Sequence, residues 1–144
     1  MRAILLLCLA LAAPPAVAAD VPADTGTTKV DFTPGDWVRV NLSVQGVTVD
    51  RLKLHEAGTM TSLMLKHDKP NRGRVYVTNG TDRRVSPAIA IAVFDASGNL
   101  LAAANTGVRV KSLDPGESKE MEIHFGGVFR HIDQGRTLYV SLEF

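Results

Sequence analysis

A strict alternation of apolar and polar residues constrains this chain more than any other feature. Past Trp37, apolar residues occupy every second position: Val38, Val40, Leu42 and Val44. The residues between them are polar. Successive side chains of an extended strand point to opposite faces, so this period of two predicts a strand with one buried and one solvated face.

The same pattern recurs along the rest of the chain. It predicts further strands over residues 47–55, 60–66, 74–79, 88–95, 100–105, 119–125 and 137–144. Residues 56–59 would join the first two as a hairpin with Leu52 opposite Leu63, and a single helical turn is expected at 129–132. Turn sequences at 96–99 and 114–117 separate other strands. Seven to nine short, mainly antiparallel strands predict an all-β chain folded as a β-sandwich over residues 36–144.

The amino terminus has the three parts of a secretory signal peptide. Arg2 precedes an unbroken apolar run over residues 3–13, and small residues at 16–19 follow. At about 1.5 Å per residue, this run is too short to cross a hydrocarbon core of about 30 Å. We therefore expect residues 1–19 to be removed, leaving no membrane span, and the protein to be exported to the periplasm or secreted. Polar residues 20–35 are predicted to form a flexible segment ahead of the domain.

Composition narrows the possible partners and chemistry. The chain has 16 Lys and Arg against 15 Asp and Glu, and Arg2 lies in the predicted leader, so the remaining charges balance. A neutral chain lacks the basic surface of a nucleic-acid binder. The single cysteine, Cys8, also lies in the leader, which excludes thiol chemistry from the processed chain. Motifs of serine hydrolases, helical zinc proteases and phosphate-binding loops are absent, so we expect no enzymatic activity and no resident cofactor.

One cluster offers an alternative in which the protein binds copper. His55, Met60 and Met64 lie within ten residues of one another, and thioether and imidazole groups are soft ligands for copper. In the predicted hairpin, His55 and Met60 are cross-strand neighbours, whereas His67 has the opposite parity. Two methionines that partly cover an apolar neighbour would produce the same pattern.

Two further segments suggest contact with another protein. Ala88, Ala90 and Ala92 form a flat apolar face opposite the core side of their strand, which either the predicted hairpin or a partner would cover. If the last strand lies at a sheet edge, its backbone is available for strand addition by a partner protein. The protein-binding residues would then be Tyr139, Val140, Ser141, Leu142, Glu143 and Phe144. Alternatively, the strand pairs internally and Phe144 fills the core.

Three segments carry a resemblance to a known family. They are Val77-Thr78-Asn79, then Ile91-Ala92-Val93-Phe94-Asp95 with Gly98 and Leu100, and then Leu113-Asp114-Pro115-Gly116-Glu117. In this order they resemble an extracytoplasmic bacterial immunoglobulin-like domain of the FxLYD type, with Ile91, Val93 and Phe94 in place of its Phe, Leu and Tyr. The resemblance implies an immunoglobulin-like sandwich and assigns no catalytic residue.

A second set of motifs is similar to the N-terminal domain of periplasmic pilus chaperones. It comprises residues 46–51, the segments at 77–79 and 113–116, and residues 132–139. This resemblance implies a single-domain factor in cell-surface or periplasmic assembly. Together these observations predict an exported, non-enzymatic protein that binds another protein.

Overall fold

Eight antiparallel strands form one sheet in the residues that the computed structural model describes, 24–54, 72–106, 112–126 and 131–144. The strands are β1 (Thr25–Asp31), β2 (Trp37–Val44), β3 (Val47–Leu54), β4 (Arg72–Asn79), β5 (Ala88–Phe94), β6 (Leu100–Asn105), β7 (Ser118–His124) and β8 (Thr137–Glu143). Their order across the sheet is β1-β8-β5-β6-β7-β4-β3-β2. A single 3₁₀ turn, Ile132–Gln134, is the helical structure in these residues. The all-β prediction is confirmed.

The sheet is nearly closed, because its two end strands, β1 and β2, lie side by side. A side chain at Gly26 would place its Cβ 2.5 Å from Val44 Cγ2, so β1 can approach β2 only with glycine at this position. On the other side of the sheet, β6 and β7 share one residue pair, Asn105 with His124. The sheet therefore has two halves, β1-β8-β5-β6 and β7-β4-β3-β2, which enclose a common core.

The core consists of the side chains that point inwards from alternate positions of the strands. In β2, Val40, Leu42 and Val44 are buried, whereas the residues between them are exposed. Fully buried side chains from both halves include Leu52, Leu54, Ile89, Ile123, Phe125, Leu138 and Leu142. Burying a side chain of this size stabilises the fold by about 1.5–3 kcal/mol. The polar side chains between them face outwards on both halves.

Three local predictions differ from the structure. Residues 25–31, predicted as part of a flexible segment, form β1 and pair along their whole length with β8. Leu52 pairs with Val38 of β2 and Val75 of β4, so the predicted register of Leu52 with Leu63 is wrong. β3 pairs with β2 on one side and with β4 on the other. The sequence around residues 52–63 does not indicate these pairings, because they depend on strands elsewhere in the chain. The described helical turn ends at Gln134, two residues later than predicted, and residues 129–130 of the predicted turn lie outside the described residues.

Candidate protein-binding surface

The last strand is an interior strand of the sheet. Its backbone pairs with β1 on one side and with β5 on the other, from Thr137 to Glu143. The expected free edge at this strand is therefore not formed, and the alternative of internal pairing holds. Val140 and Leu142 are fully buried, and Phe144 packs against the core. Of the predicted binding residues, Tyr139, Ser141 and Glu143 point outwards.

These three outward residues border the alanine face, the surface formed by Ala88, Ala90 and Ala92 of β5. Glu143, Ser141 and Tyr139 stand directly opposite Ala88, Ala90 and Ala92, in that order. Ala88 and Ala90 are exposed and Ala92 is half-buried, so no described part of the chain covers this surface. Of the hairpin expected to cover it, the first strand is β3, which pairs with β2 and β4, and the second, residues 60–66, lies outside the described residues.

An aromatic pair closes one end of the alanine face. Phe94 and Tyr139 make an edge-to-face contact with ring centroids 5.3 Å apart. Lys29 Nζ lies 5.7 Å from the centroid of the Tyr139 ring, on the side of β1. Tyr139 nevertheless remains 41% exposed. The three side chains line a groove over Ala92, which gives the flat surface an apolar wall with a charged rim.

A second open groove lies at the other end of the alanine face. Its floor is Ala88 and Ala90, and its sides include Thr25, Thr106 and Ser141. Its volume is about 430 Å³, and apolar atoms form most of its surface. The two grooves and the alanines between them form one continuous apolar strip along β5, flanked by β8 and β6.

The strand next to the alanine face, β6, lies between β5 and β7 in the strand order but has extensive pairing on one side only among the described residues. It pairs with β5 on one side, whereas on the other side the described residues contribute only the pair of Asn105 with His124. Leu100 is 52% exposed and Ala103 is also exposed. A strand with apolar outward side chains, one side of which forms few backbone pairs among the described residues, is a template for strand addition.

The sequence of β6 itself indicates an exposed apolar strand. Residues 100–104 read Leu-Leu-Ala-Ala-Ala, apolar on both parities as in β5, although two outward positions of the strand, Leu100 and Ala103, are exposed. An apolar strand on a solvated face is unusual for an antiparallel sheet. The sequence analysis instead considered β8 as the strand with a free edge.

The predicted copper ligands lie outside the described residues. His55, Met60 and Met64 fall in the segment 55–71, and the pairing expected to bring them together is not the pairing that Leu52 makes. Within the described ranges, no three His, Cys, Asp or Glu side chains gather closely enough to hold a metal ion. His124 instead lies 3.6 Å from Glu122, on the outer face of β7.

Among the residues described, no helix has the length and apolar character required to cross a bilayer. The chain matches no model of a known protein family, and no curated protein is similar to it.

Proposed function

We propose that this chain is an exported, non-enzymatic, immunoglobulin-like β-sandwich that binds an extended segment of another protein along β6. The observation that carries the proposal is the combination of an apolar strand, one side of which forms a single residue pair among the described residues, with an exposed alanine face beside it. A partner strand that continues the order β1-β8-β5-β6 would gain backbone hydrogen bonds from β6. Its side chains on the outer face would lie beside Ala103 and Leu100.

The alanine face supports an extended ligand rather than a bulky one. Alanine side chains lie low on the sheet, so a partner's side chains can lie across β5 and contact the rim that Tyr139 and Phe94 form. An accessory or chaperone-like factor in periplasmic or cell-surface assembly would use such a surface to hold an unpaired strand of a client protein. Export and this class of partner are parts of the proposal, supported by the leader pattern and the two family resemblances.

Selection of peptides on the purified processed chain tests this proposal. A phage-displayed library of random 12-residue peptides is selected for binding, and synthetic versions are measured by calorimetry. We expect peptides with alternating apolar residues, and we expect the Leu100→Lys/Ala103→Lys variant to weaken their binding at least tenfold. Two charges on the outer side chains of an edge strand oppose strand addition.

A matched control adds the same charge elsewhere. Ser43 and Ser118 are exposed residues of β2 and β7 in the other half of the sheet, so Ser43→Lys/Ser118→Lys should leave peptide binding unchanged. The proposal fails if no peptide is selected, or if the selected peptides bind the β6 variant as tightly as the unmodified chain.

A further inference from the structure

The outer face of the other half of the sheet carries an excess of positive charge on β2 and β3. Two transverse rows of paired residues cross this face: Arg39, Arg51, Tyr76 and Glu120, and Trp37, Lys53, Arg74 and Glu122. Arg74 forms an ion pair with Glu120 and Arg72 forms one with Glu122. Arg39, Arg51 and Lys53 have no acidic partner within the described residues.

Arg39 and Arg51 stand directly opposite each other on adjacent antiparallel strands. Cβ atoms in such a pair are about 4.5–5.5 Å apart, and like charges at this distance destabilise a sheet. An anion bound between the two guanidinium groups removes this repulsion. Both side chains line the same open pocket, so one anionic group can contact both.

The Arg51 side chain is held in place for such a contact. Its guanidinium carbon lies 4.9 Å from the centroid of the Trp37 ring and 5.0 Å from that of Tyr76. Cation–π contacts at exposed sites contribute about 0.5–1 kcal/mol each. The stacking restricts a side chain that would otherwise move freely, and it lowers the entropy lost on binding.

Two irregularities in the backbone form the pocket. The β2–β3 register shifts between Arg39 and Leu42, and the β3–β4 register shifts between Val49 and Arg51. Asn41 adopts a positive φ of 51°, which asparagine tolerates better than most residues. Bulges redirect side chains, and here they bring Asn41 and Asp50 into the pocket beside the arginines.

The pocket residues favour a sugar acid over other anions. Thr78 Oγ1 donates a hydrogen bond of 2.7 Å to Asp50 Oδ2, and Asp50 Oδ1 has no described donor, so it can accept one from a ligand hydroxyl. A pocket that holds two guanidinium groups and a carboxylate suits a ligand that carries both carboxylate and hydroxyl groups. The pocket volume of about 370 Å³ is within the range of about 300–1,000 Å³ that is typical of small-molecule sites.

We propose that Arg39, Asn41, Asp50, Arg51 and Tyr76 bind a hexuronate residue of an acidic polysaccharide. Arg39 and Arg51 hold the sugar carboxylate, and the Asn41 and Asp50 side chains hydrogen-bond to the sugar hydroxyls. This site is independent of the alanine face and β6, because its residues all lie on β2, β3 and β4.

Polygalacturonate oligomers serve as the test ligand for the purified processed chain. Trp37 is the single tryptophan of the chain and stacks on Arg51, so its fluorescence reports on the site directly, and calorimetry gives the affinity. Dextran supplies hydroxyls without carboxylates, and polyglutamate supplies carboxylates without hydroxyls. We expect saturable binding of polygalacturonate, and binding at least tenfold weaker for both other polymers.

Variants with matched changes of charge complete the test. Arg39→Gln and Arg51→Gln should each weaken polygalacturonate binding about tenfold or more, the loss expected for one charge-assisted hydrogen bond. Arg83→Gln removes the same charge from the turn after β4 and should leave binding unchanged. If Arg51→Gln unfolds, Arg39→Gln alone decides, because its side chain is exposed and unstacked.

Three results would overturn the proposal. The first is no saturable binding of polygalacturonate. The second is polyglutamate binding of equal strength, which would indicate an acidic protein as the ligand. The third is an effect of Arg39→Gln no larger than that of Arg83→Gln.

Discussion

The side-chain nitrogen of Asn79 lies 3.1 Å from the carbonyl oxygen of Leu113 and links two turns that are far apart in the sequence. The same nitrogen donates to the carbonyl oxygens of Arg83 and Asp114, and its oxygen accepts from Thr81. Asn79 is the one fully buried polar residue among the described positions. It therefore fastens the end of β4 to the turn before β7.

Asn79→Ala should destabilise the fold by about 2–4 kcal/mol, because it leaves several carbonyl groups without a donor. Urea unfolding followed by circular dichroism measures this change. Asn99→Ala is the matched control: the Asn99 side chain bonds to Asp95 at an exposed turn, so its removal should cost less than about 1 kcal/mol. An equal effect of the two variants would show that burial of Asn79 has no special role.

Gly26→Val tests the closure of the sheet between β1 and β2. The added side chain would overlap Val44 Cγ2, so we expect a loss of about 1–3 kcal/mol in unfolding free energy. Thr27→Val places the same residue type on the outer side of β1, where it replaces an exposed hydroxyl that contacts Ser141, and it should change stability by less than about 0.5 kcal/mol. If both variants are equally stable, β1 does not pack against β2 as described.

The turn between β5 and β6 should make the free energy of unfolding depend on pH in the acid range. Hydrogen bonds from the Asn99 side chain and backbone lower the pKa of Asp95 below its ordinary value of 3.8. Because the folded pKa is the lower one, the stabilisation is complete above the unfolded pKa and is lost as the pH falls through the folded pKa.

Asp95→Ala should therefore destabilise the chain at pH about 6 but have a smaller effect at pH about 2. Urea midpoints at the two pH values measure the difference. Asp82→Ala, which removes an exposed carboxylate without a described hydrogen bond, should change both midpoints little. If Asp95→Ala lowers the urea midpoint equally at both pH values, the lowered pKa of Asp95 does not contribute to stability as described.

Tyr139→Ala separates stability from binding at the alanine face. The edge-to-face contact with Phe94 predicts a loss of about 0.5–1.5 kcal/mol in unfolding free energy. If the rim contacts an extended partner, affinity for the selected peptides should fall at least fivefold. Tyr76→Ala, on the outer face of the other half, should leave peptide affinity unchanged. Equal peptide affinities in the two variants would exclude the rim from the binding surface.

The bounds of β2 to β8 were predictable to within two residues from their apolar runs and from the turn sequences that separate them. β1 was missed because its inward residues include Gly26 and Thr28, which provide little apolar signal. At Gly26, β1 packs so closely against Leu42 and Val44 of β2 that a side chain would not fit without a shift. The composition of a strand does not show that it lies close to another strand with which it forms no backbone pairs.

The candidate site was predictable only in part. The outward side chains of the last strand were identified, and so was the alanine face, but the strand assigned to the sheet edge was not. Whether a strand has one partner or two depends on long-range pairing, and β8 gains its second partner from β1 at the other end of the chain. The contacts of Arg51 with Trp37 and Tyr76 were not predicted either, because their geometry depends on two bulges.

Amide hydrogen exchange, followed residue by residue by NMR, tests the central claim most directly. In the free chain, β8 amides should be protected throughout, whereas alternate β6 amides over residues 100–104 should exchange about a hundredfold faster or more. Addition of a selected peptide should slow exchange at those β6 amides. Uniform protection of β6 in the free chain, or no slowing when the peptide binds, would contradict strand addition at β6.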